Sequence, residues 1–214
     1  LPPLVPRGEN YGIRFSGGHA TLGKILESLH MAPRAGLVLT VVIFLGLHVG
    51  AVGEGVFWSM IFRWLHVFFG ILWIGLLYYF NFVQIPNMPK IPDEQKHENG
   101  KVIAAAALFF FRWAAALTVL MGLIIALKDG YLVEGLTFQS PWTVIGIGMW
   151  LGIIMAINVW FVIWPNQKKA LGIVEADADS KKKAARTAML FSRTNTLLSI
   201  PMLYCMIGQG QLPV

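Results

Sequence analysis

The chain has few charged residues and a single cysteine, and both facts exclude some classes of protein. Only 13% of its 214 residues are charged, whereas a typical soluble domain has about 25%. This argues against a soluble enzyme, a nucleic-acid-binding protein and a disordered chain. The lone Cys205 excludes an internal disulfide, a CxxC metal site and a CxxCH attachment motif. Walker, GxSxG, HExxH and Rossmann motifs are also missing from the sequence.

Apolar residues, by contrast, are abundant: 56% of the chain is hydrophobic and the mean hydropathy is +0.63. A helix needs about 20 apolar residues to cross a bilayer. Five runs reach about this length, at residues 35–53, 61–85, 102–127, 142–164 and 187–207. Residues 21–31 place leucine and isoleucine at helical spacing opposite Lys24 and Glu27, which predicts an amphipathic helix on the membrane surface.

These patterns predict an all-α integral membrane protein. We expect a bundle of about five transmembrane helices in residues 35–214. An N-terminal extension, residues 1–34, would carry the interfacial amphipathic helix. The lipid bilayer is then the first partner of the chain.

The distribution of charge predicts an orientation. The net charge of +6 comes from 17 basic and 11 acidic residues. Most of the basic residues lie in the N-terminal segment and in loops 86–101 and 165–186, which five spans place on one side. Because basic loops stay in the cytoplasm, we expect a multi-pass protein of the bacterial inner membrane. Its N-terminus would be cytoplasmic and its C-terminus periplasmic, so the positive charge reflects topology and not nucleic-acid binding.

Two histidines are predicted at similar depth in adjacent antiparallel helices. His48 lies about five residues before the outer end of the first span, and His66 about five residues into the second. Neutral imidazoles on facing helices are suited to bind the iron of haem b from both sides. Gly70, one turn after His66, would make room for a flat macrocycle, and Arg63, one turn before, would neutralise a propionate. The alternatives are chlorophyll, another metal, or no cofactor, with each histidine hydrogen-bonded to a neighbouring helix.

A second group of polar residues lies at the cytoplasmic ends of four spans. Polar side chains inside a membrane are costly unless they are paired or functional. One interpretation is a pocket for a small anionic substrate, with two arginines as counter-charges. The alternative is hydrogen bonding between helices, with arginines that extend to the interface. The group consists of Asn81, Gln84, Arg112, Asn158, Arg193 and Asn195.

Five stretches of the sequence resemble one known family. They are Arg63–His66, Gly70–Gln84, Phe111–Trp113, Asn158–Gln167 and Ser192–Pro201, within a similarity that extends over roughly residues 60–205. Together they are similar to the membrane domain of the urate hydroxylase family, the cytochrome c-coupled "urate oxidase N-terminal" proteins. The resemblance implies a helical membrane protein with a haem b-type redox role that oxidises a purine and passes electrons to cytochrome c. It also implies that His66 is a haem ligand and that the six polar residues form one site.

The chain departs from that family in one respect that bears on function. The full urate enzyme carries a C-terminal cytochrome c domain, whereas no CxxCH motif occurs here. The leading hypothesis is a haem b-binding redox protein that passes electrons to an external cytochrome c-type acceptor. The alternative is a non-catalytic accessory subunit of a larger respiratory, photosynthetic or other oxidising membrane complex. The expected protein partners are accordingly a cytochrome c, or a larger membrane complex or homo-oligomer. A transporter for a small anion is a third hypothesis, which the missing inverted repeat disfavours.

Overall fold

The computed structural model describes residues 20–92 and 100–211, which form helices and turns without a β-strand. Residues 1–19 of the predicted N-terminal extension lie outside the described residues. The all-helical prediction is confirmed over the described part of the chain. In chain order, the helices are α1 (Ala20–Glu27), α2 (Met31–Leu47), α3 (Gly55–Lys90), α4 (Val102–Lys128), α5 (Leu132–Leu136), α6 (Thr143–Ala170) and α7 (Ala178–Gly208).

The chain divides into two compact units between Glu54 and Gly55. In the first unit, α1 ends at Glu27, so the helix in the predicted amphipathic segment is shorter than residues 21–31. Helix α2 follows it and has no buried residue. The second unit contains α3 to α7. The predicted division into an extension (1–34) and a transmembrane domain (35–214) stays a prediction.

Among the described residues, α3, α4 and α6 are long and apolar enough to cross a membrane. They contain the predicted second, third and fourth spans. The other two predicted spans are not confirmed. Helix α2 is apolar but has only 17 residues and ends at Leu47, short of residue 53. Helix α7 has 31 residues, but Arg193, Asn195 and several hydroxyl side chains lower its hydropathy.

An apolar core joins the helices of the second unit. Helix α3 packs along α4, and α6 packs along α7. Trp73 and Leu77 of α3, Phe111 of α4, and Met155 and Ile163 of α6 are buried where the two pairs meet. Burial of these large side chains fixes the four helices relative to one another. Candidate site residues lie beyond this core in both directions.

Within residues 20–92 and 100–211, three helices contain π-helical turns near one end of the unit. These turns cover Tyr79–Gln84 in α3, Gly100–Ala104 at the start of α4 and Asn158–Ile163 in α6. Such turns are rare and occur frequently at functional sites. The Asn81 side chain donates to the Leu77 carbonyl at 2.9 Å, one turn back along α3. The predicted polar residues Asn81, Gln84 and Asn158 therefore all lie within non-α backbone.

Candidate cofactor cavity and polar seam

A cavity of about 580 Å³ lies among α3, α4, α6 and α7. Small-molecule and cofactor pockets typically have volumes of about 300–1,000 Å³. All the residues that line it belong to the second unit, and most of them are apolar. Four of the lining residues have no side chain, which leaves space beside them: Gly70, Gly75, Gly122 and Gly152. We call it the histidine cavity, because His66 is the one histidine among its described lining residues.

Helix α4 holds the ring of His66. The Nδ1 atom lies 2.8 Å from the backbone carbonyl oxygen of Thr118. Because a carbonyl oxygen only accepts hydrogen bonds, Nδ1 carries the hydrogen and donates it. In the neutral ring, Nε2 then keeps its lone pair. A backbone acceptor behind a ligating histidine fixes the tautomer and the ring orientation in this way.

Gly122 provides the space in which the ring lies. A Cβ atom at this position would lie 2.9 Å from Cε1 and 3.0 Å from Nδ1 of His66, closer than packed atoms approach. A Cβ atom at Gly70 would meet only the Thr118 methyl group at 3.7 Å, an ordinary contact. Gly70 does line the cavity, as its predicted role requires. The close contact with the imidazole, however, is made by Gly122.

Arg63 lines one end of the cavity and is paired with an acidic residue. Its Nη2 atom lies 2.9 Å from Oδ2 of Asp129, and the Ser59 hydroxyl donates to Oδ1 of the same carboxylate at 2.7 Å. The Arg63 side chain is 63% exposed. Its cationic end is therefore accessible from outside, and its predicted contact with a propionate stays a prediction.

Tyr131 also lines this end of the cavity. Its ring stacks on Trp142 with 4.6 Å between centroids. Burial raises the pKa of the Tyr131 phenol, and the nearby Asp129 carboxylate raises it further, against a smaller opposite effect of Arg63. At neutral pH the phenol is therefore a neutral hydroxyl group.

His48 lies in the first unit, at the C-terminal end of α2. Its backbone N–H donates to the Phe44 carbonyl at 2.8 Å, and its side chain is exposed. Because α2 ends at Leu47, the predicted position of His48 inside a longer span is not confirmed. The pairing of its imidazole with that of His66 stays a prediction.

The residues around the histidine cavity fit a haem. An imidazole with Nε2 available, apolar walls and the Arg63 cation match the iron, the macrocycle and the propionates, respectively. The indole nitrogen of the lining residue Trp73 is buried and has no partner among the described residues. The described part of the chain shows no cluster of three or more His, Cys, Asp or Glu side chains, which a metal held by side chains alone would need.

At the opposite end of α3, predicted polar residues pair with α7. The Asn81 side-chain amide donates to the Ser192 hydroxyl at 2.7 Å. The Asn158 amide of α6 donates to Oδ1 of Asn195 at 3.0 Å, and the Asn195 amide donates to the Met155 carbonyl at 2.9 Å. Hydrogen bonds thus connect α3 and α6 to α7.

One more hydrogen bond extends this arrangement toward the core. The hydroxyl groups of Tyr78 and Ser199 lie 2.9 Å apart. Ser192, Asn195 and Ser199 are all buried, so α7 presents a polar face inward. We call the whole set the polar seam; it consists of Tyr78, Asn81, Asn158, Ser192, Asn195 and Ser199.

Two oxygen atoms beside the seam have no donor among the described residues. They are Oδ1 of Asn81 and Oε1 of Gln84, and both are buried. The Asn81 amide is oriented by the Leu77 carbonyl, which can accept only from the nitrogen. Buried acceptors are normally paired. A ligand with N–H groups, or a water molecule, would satisfy these two.

The two predicted arginines have other surroundings. The half-buried Arg112 places its guanidinium carbon 3.8 Å from the ring centroid of Trp164 and 5.4 Å from that of Phe109, a cation–π arrangement. Arg193 is exposed on α7, and the described residues give it no hydrogen bond or ion pair. Hydrogen bonds therefore join Asn158 to Asn195, and separately join Asn81 to Ser192 of the same helix, α7. The role of the arginines as counter-charges stays a prediction.

Among the residues of these two sites that sequence reasoning missed are Thr118, Gly122, Ser192 and Ser199. Ser192 and Ser199 had a readable signal, because with Asn195 they recur at helical spacing on one face. Gly122 gave only a weak signal, as one small residue in an apolar run. Thr118 gave none, since it acts through a backbone carbonyl that every residue has.

Comparison with known families bears directly on part of this arrangement. A family model described as urate oxidase N-terminal matches residues 107–211. The match includes most of α4 with Thr118 and Gly122, all of α6, and the polar face of α7, while α3 with His66 lies outside it. No curated protein and no solved structure matches the chain. The predicted resemblance is thus confirmed over residues 107–211, which match the urate oxidase N-terminal family.

Proposed function

We propose that this chain is a membrane-embedded redox protein that holds haem b in the histidine cavity. It would pass electrons to an external acceptor of the cytochrome c type. The observation that carries the proposal is the position of His66: Nδ1 is occupied by the Thr118 carbonyl, the ring lies against Gly122, and Nε2 stays available to a metal. Haem b bound there would supply a one-electron redox centre.

The side chains of the cavity have separate roles in this proposal. His66 would bind the iron, and the Thr118 carbonyl would keep its ring in the required tautomer. Arg63 would exchange part of its contact with Asp129 for a propionate at the end of the cavity. The apolar walls would exclude water, which tunes the reduction potential of a redox centre.

We further propose that α2 and α7 complete a five-span arrangement in the bacterial inner membrane. Three of the polar residues that lower the hydropathy of α7 are buried in the seam, where hydrogen bonds compensate their cost in lipid: Ser192, Asn195 and Ser199. With the basic loops in the cytoplasm, the histidine cavity would lie near the periplasmic face. That position suits electron transfer to an external cytochrome c.

The substrate of the proposed enzyme would bind at the polar seam. The family description names urate, a purine with several N–H groups. Such groups match the two buried acceptors, Asn81 Oδ1 and Gln84 Oε1. Arg112 and Arg193 would supply positive charge for an anionic purine.

The test is a haem measurement on protein purified from its native membrane. We expect about one haem b per chain by pyridine haemochrome analysis and loss of that haem in His66→Ala. The matched control is His30→Ala, because His30 is exposed in the first unit; it should keep normal haem content. A normal haem spectrum in His66→Ala would remove His66 from the proposal.

Further outcomes separate the parts of the proposal. Urate-dependent reduction of cytochrome c by the haem-loaded protein would support the substrate assignment, and its absence would contradict it while leaving the haem site intact. Wild-type protein without haem would overturn the redox function. The accessory-subunit hypothesis would then be favoured, and native-size analysis after mild detergent extraction would detect the larger complex.

A further inference from the structure

We infer that the second axial ligand of the haem is the thioether sulfur of Met206. The inference rests on the proposed haem function and replaces the predicted His48 with a residue of the second unit. It follows from which side chains line the histidine cavity, which walls they occupy and how far along their helices they lie.

Few lining side chains have an atom that binds iron. Among the described lining residues they are His66, Tyr131, Met149, Met202 and Met206. His66 belongs to α3 and is held by α4, whereas the three methionines belong to α6 and α7. Because α3 packs along α4 and α6 along α7, the imidazole and the thioethers lie on opposite walls. Axial ligands must approach from opposite faces of a macrocycle, so this distribution suits a histidine–methionine pair.

Depth along the helices favours Met206 over Met202. The bond between Asn81 and Ser192 fixes a common level on α3 and α7. At about 1.5 Å per residue, His66 lies about 22 Å from that level along α3, and Met206 lies about 21 Å from it along α7. Met202 lies only about 15 Å along α7, and it is buried within the apolar core. Whether the level is taken from this bond or from the one between Tyr78 and Ser199, Met206 lies nearer than Met202 to the level of His66.

Met149 and Tyr131 are engaged elsewhere. The Met149 sulfur would lie 3.1 Å from a Cβ atom at Gly135, so the thioether packs against α5. The Tyr131 ring is held by its stack on Trp142, with 4.6 Å between centroids. Met206 contacts α6 through its terminal methyl carbon, which would lie 3.3 Å from a Cβ atom at Gly148, and not through its sulfur. Because the residue is only partly buried, rotation of its flexible side chain can turn the sulfur toward a bound macrocycle.

A thioether ligand has a functional consequence. Methionine–histidine ligation raises the reduction potential of a haem. A raised potential would bring this centre closer to that of cytochromes c with the same ligand pair. The free-energy change of electron transfer to such an acceptor would then be close to zero.

The test compares Met206→Leu with Met202→Leu in haem-loaded full-length protein. Leucine conserves volume in place of methionine but offers no sulfur. We expect the oxidised wild type to show a sulfur-to-iron charge-transfer band. Met206→Leu should keep its haem through His66, lose that band and have a lower midpoint potential in a redox titration. Met202→Leu should keep the band and the wild-type potential.

Other results would overturn the inference without affecting the haem function. One is a wild-type near-infrared magnetic circular dichroism spectrum typical of two imidazole ligands, which His48→Ala abolishes. Another is loss of the charge-transfer band in Met202→Leu and not in Met206→Leu. The wild-type spectrum is informative even if Met206→Leu fails to fold, because it distinguishes sulfur from nitrogen ligation by itself. Wild-type protein that binds no haem would reject the proposed function as well.

Discussion

The two ends of the second unit use polar side chains in opposite ways. In the histidine cavity, a backbone carbonyl orients one imidazole, and apolar walls leave about 580 Å³ open. In the polar seam, amide and hydroxyl groups bond to one another across three helices. Asn195 is 0% exposed, so the seam is tightly packed around it.

This contrast in hydrogen bonding indicates the role of each region. Polar groups in a membrane need partners, whether from the protein or from a ligand. The seam provides most of its own partners and therefore stabilises the helix packing. The cavity keeps the Nε2 of His66 available, which favours a bound cofactor. The unpaired oxygens of Asn81 and Gln84 are the exception within the seam and mark where a ligand would bind.

The largest expected effect concerns the cavity. Gly122→Ala would place a methyl group within 2.9 Å of the His66 ring, which must then shift and weaken its bond to Thr118. Because disturbing the groups that orient a metal ligand typically costs about 10- to 100-fold in affinity, we expect haem affinity to fall by at least about tenfold. Haem titration of the apoprotein measures this.

Gly55→Ala is the control for Gly122→Ala, since Gly55 belongs to α3 but does not line the cavity. Apart from its own helix and chain neighbours, its added methyl group would meet no heavy atom of the described residues within 4 Å. We expect haem affinity within about twofold of wild type, less than about 0.4 kcal/mol. Equal effects of the two substitutions would mean that the His66 ring is not held as the structure shows.

A smaller effect is expected from the seam, and on stability alone. Asn195→Leu removes two hydrogen bonds and leaves the side-chain amide of Asn158 without its partner, while the Met155 carbonyl keeps the Asn158 backbone N–H as a donor. Such losses cost about 1–3 kcal/mol in proteins generally and less between membrane helices, so we expect a decrease of about 1 kcal/mol in the free energy of unfolding. Unfolding in mixed detergent micelles measures it, and haem content should stay unchanged.

Thr194→Val is the matched control for this substitution. Thr194 is exposed next to Asn195 and its hydroxyl bonds only to Leu190 of its own helix. Its replacement should leave the unfolding free energy nearly unchanged. If Asn195→Leu instead lost haem at unchanged stability, the two regions would form one site and the comparison would fail.

A still smaller effect is expected where the cavity meets the surface. The Arg63–Asp129 pair is well exposed on the arginine side, and exposed ion pairs contribute about 0.2–1 kcal/mol. A double-mutant cycle with Arg63→Gln and Asp129→Asn should give a coupling energy in that range. A coupling above about 2 kcal/mol would identify a structural pair and argue against Arg63 as a propionate partner.

Much of this architecture was predictable from the sequence, because long apolar runs specify helices directly. The runs at 61–85, 102–127 and 142–164 correspond to α3, α4 and α6. The seam was partly predictable as well, since Asn81, Asn158 and Asn195 are conspicuous in apolar surroundings. The end of α2 before His48 was not, because residues 48–53 stay apolar while the backbone leaves the helix.

The cavity could be predicted only in part. His66 is visible in the sequence, but the features that orient it are a carbonyl of Thr118 and the missing side chain of Gly122. Both lie on another helix, so their positions depend on how α3 packs against α4. The facing methionines were unremarkable in the sequence for the same reason. They become informative only when α7 is placed opposite His66.

The smallest effect is expected outside both regions, at the start of α7. The Asp177 carboxylate accepts hydrogen bonds from the Ser180 hydroxyl at 2.7 Å and from the Ser180 amide at 2.8 Å, and these bonds lower the pKa of Asp177. A carboxyl group with a lower pKa in the folded state stabilises it above its unfolded pKa of about 3.9. That contribution is lost as the pH falls through the lower folded value.

We therefore expect the first turn of α7 to open on acidification while the cavity and the seam stay intact. Hydrogen exchange of the Ser180 amide, corrected for the intrinsic effect of pH, should show protection that decreases below about pH 4. Asp177→Asn keeps an acceptor oxygen but does not titrate, so its protection should not change over the same range. Acidification could instead change the haem spectrum, and the difference in unfolding free energy between wild type and Asn195→Leu, over the same pH range as the protection of the Ser180 amide. In that case α7 would respond as one rigid element. The seam would then depend on the cap of its helix and not on its own hydrogen bonds.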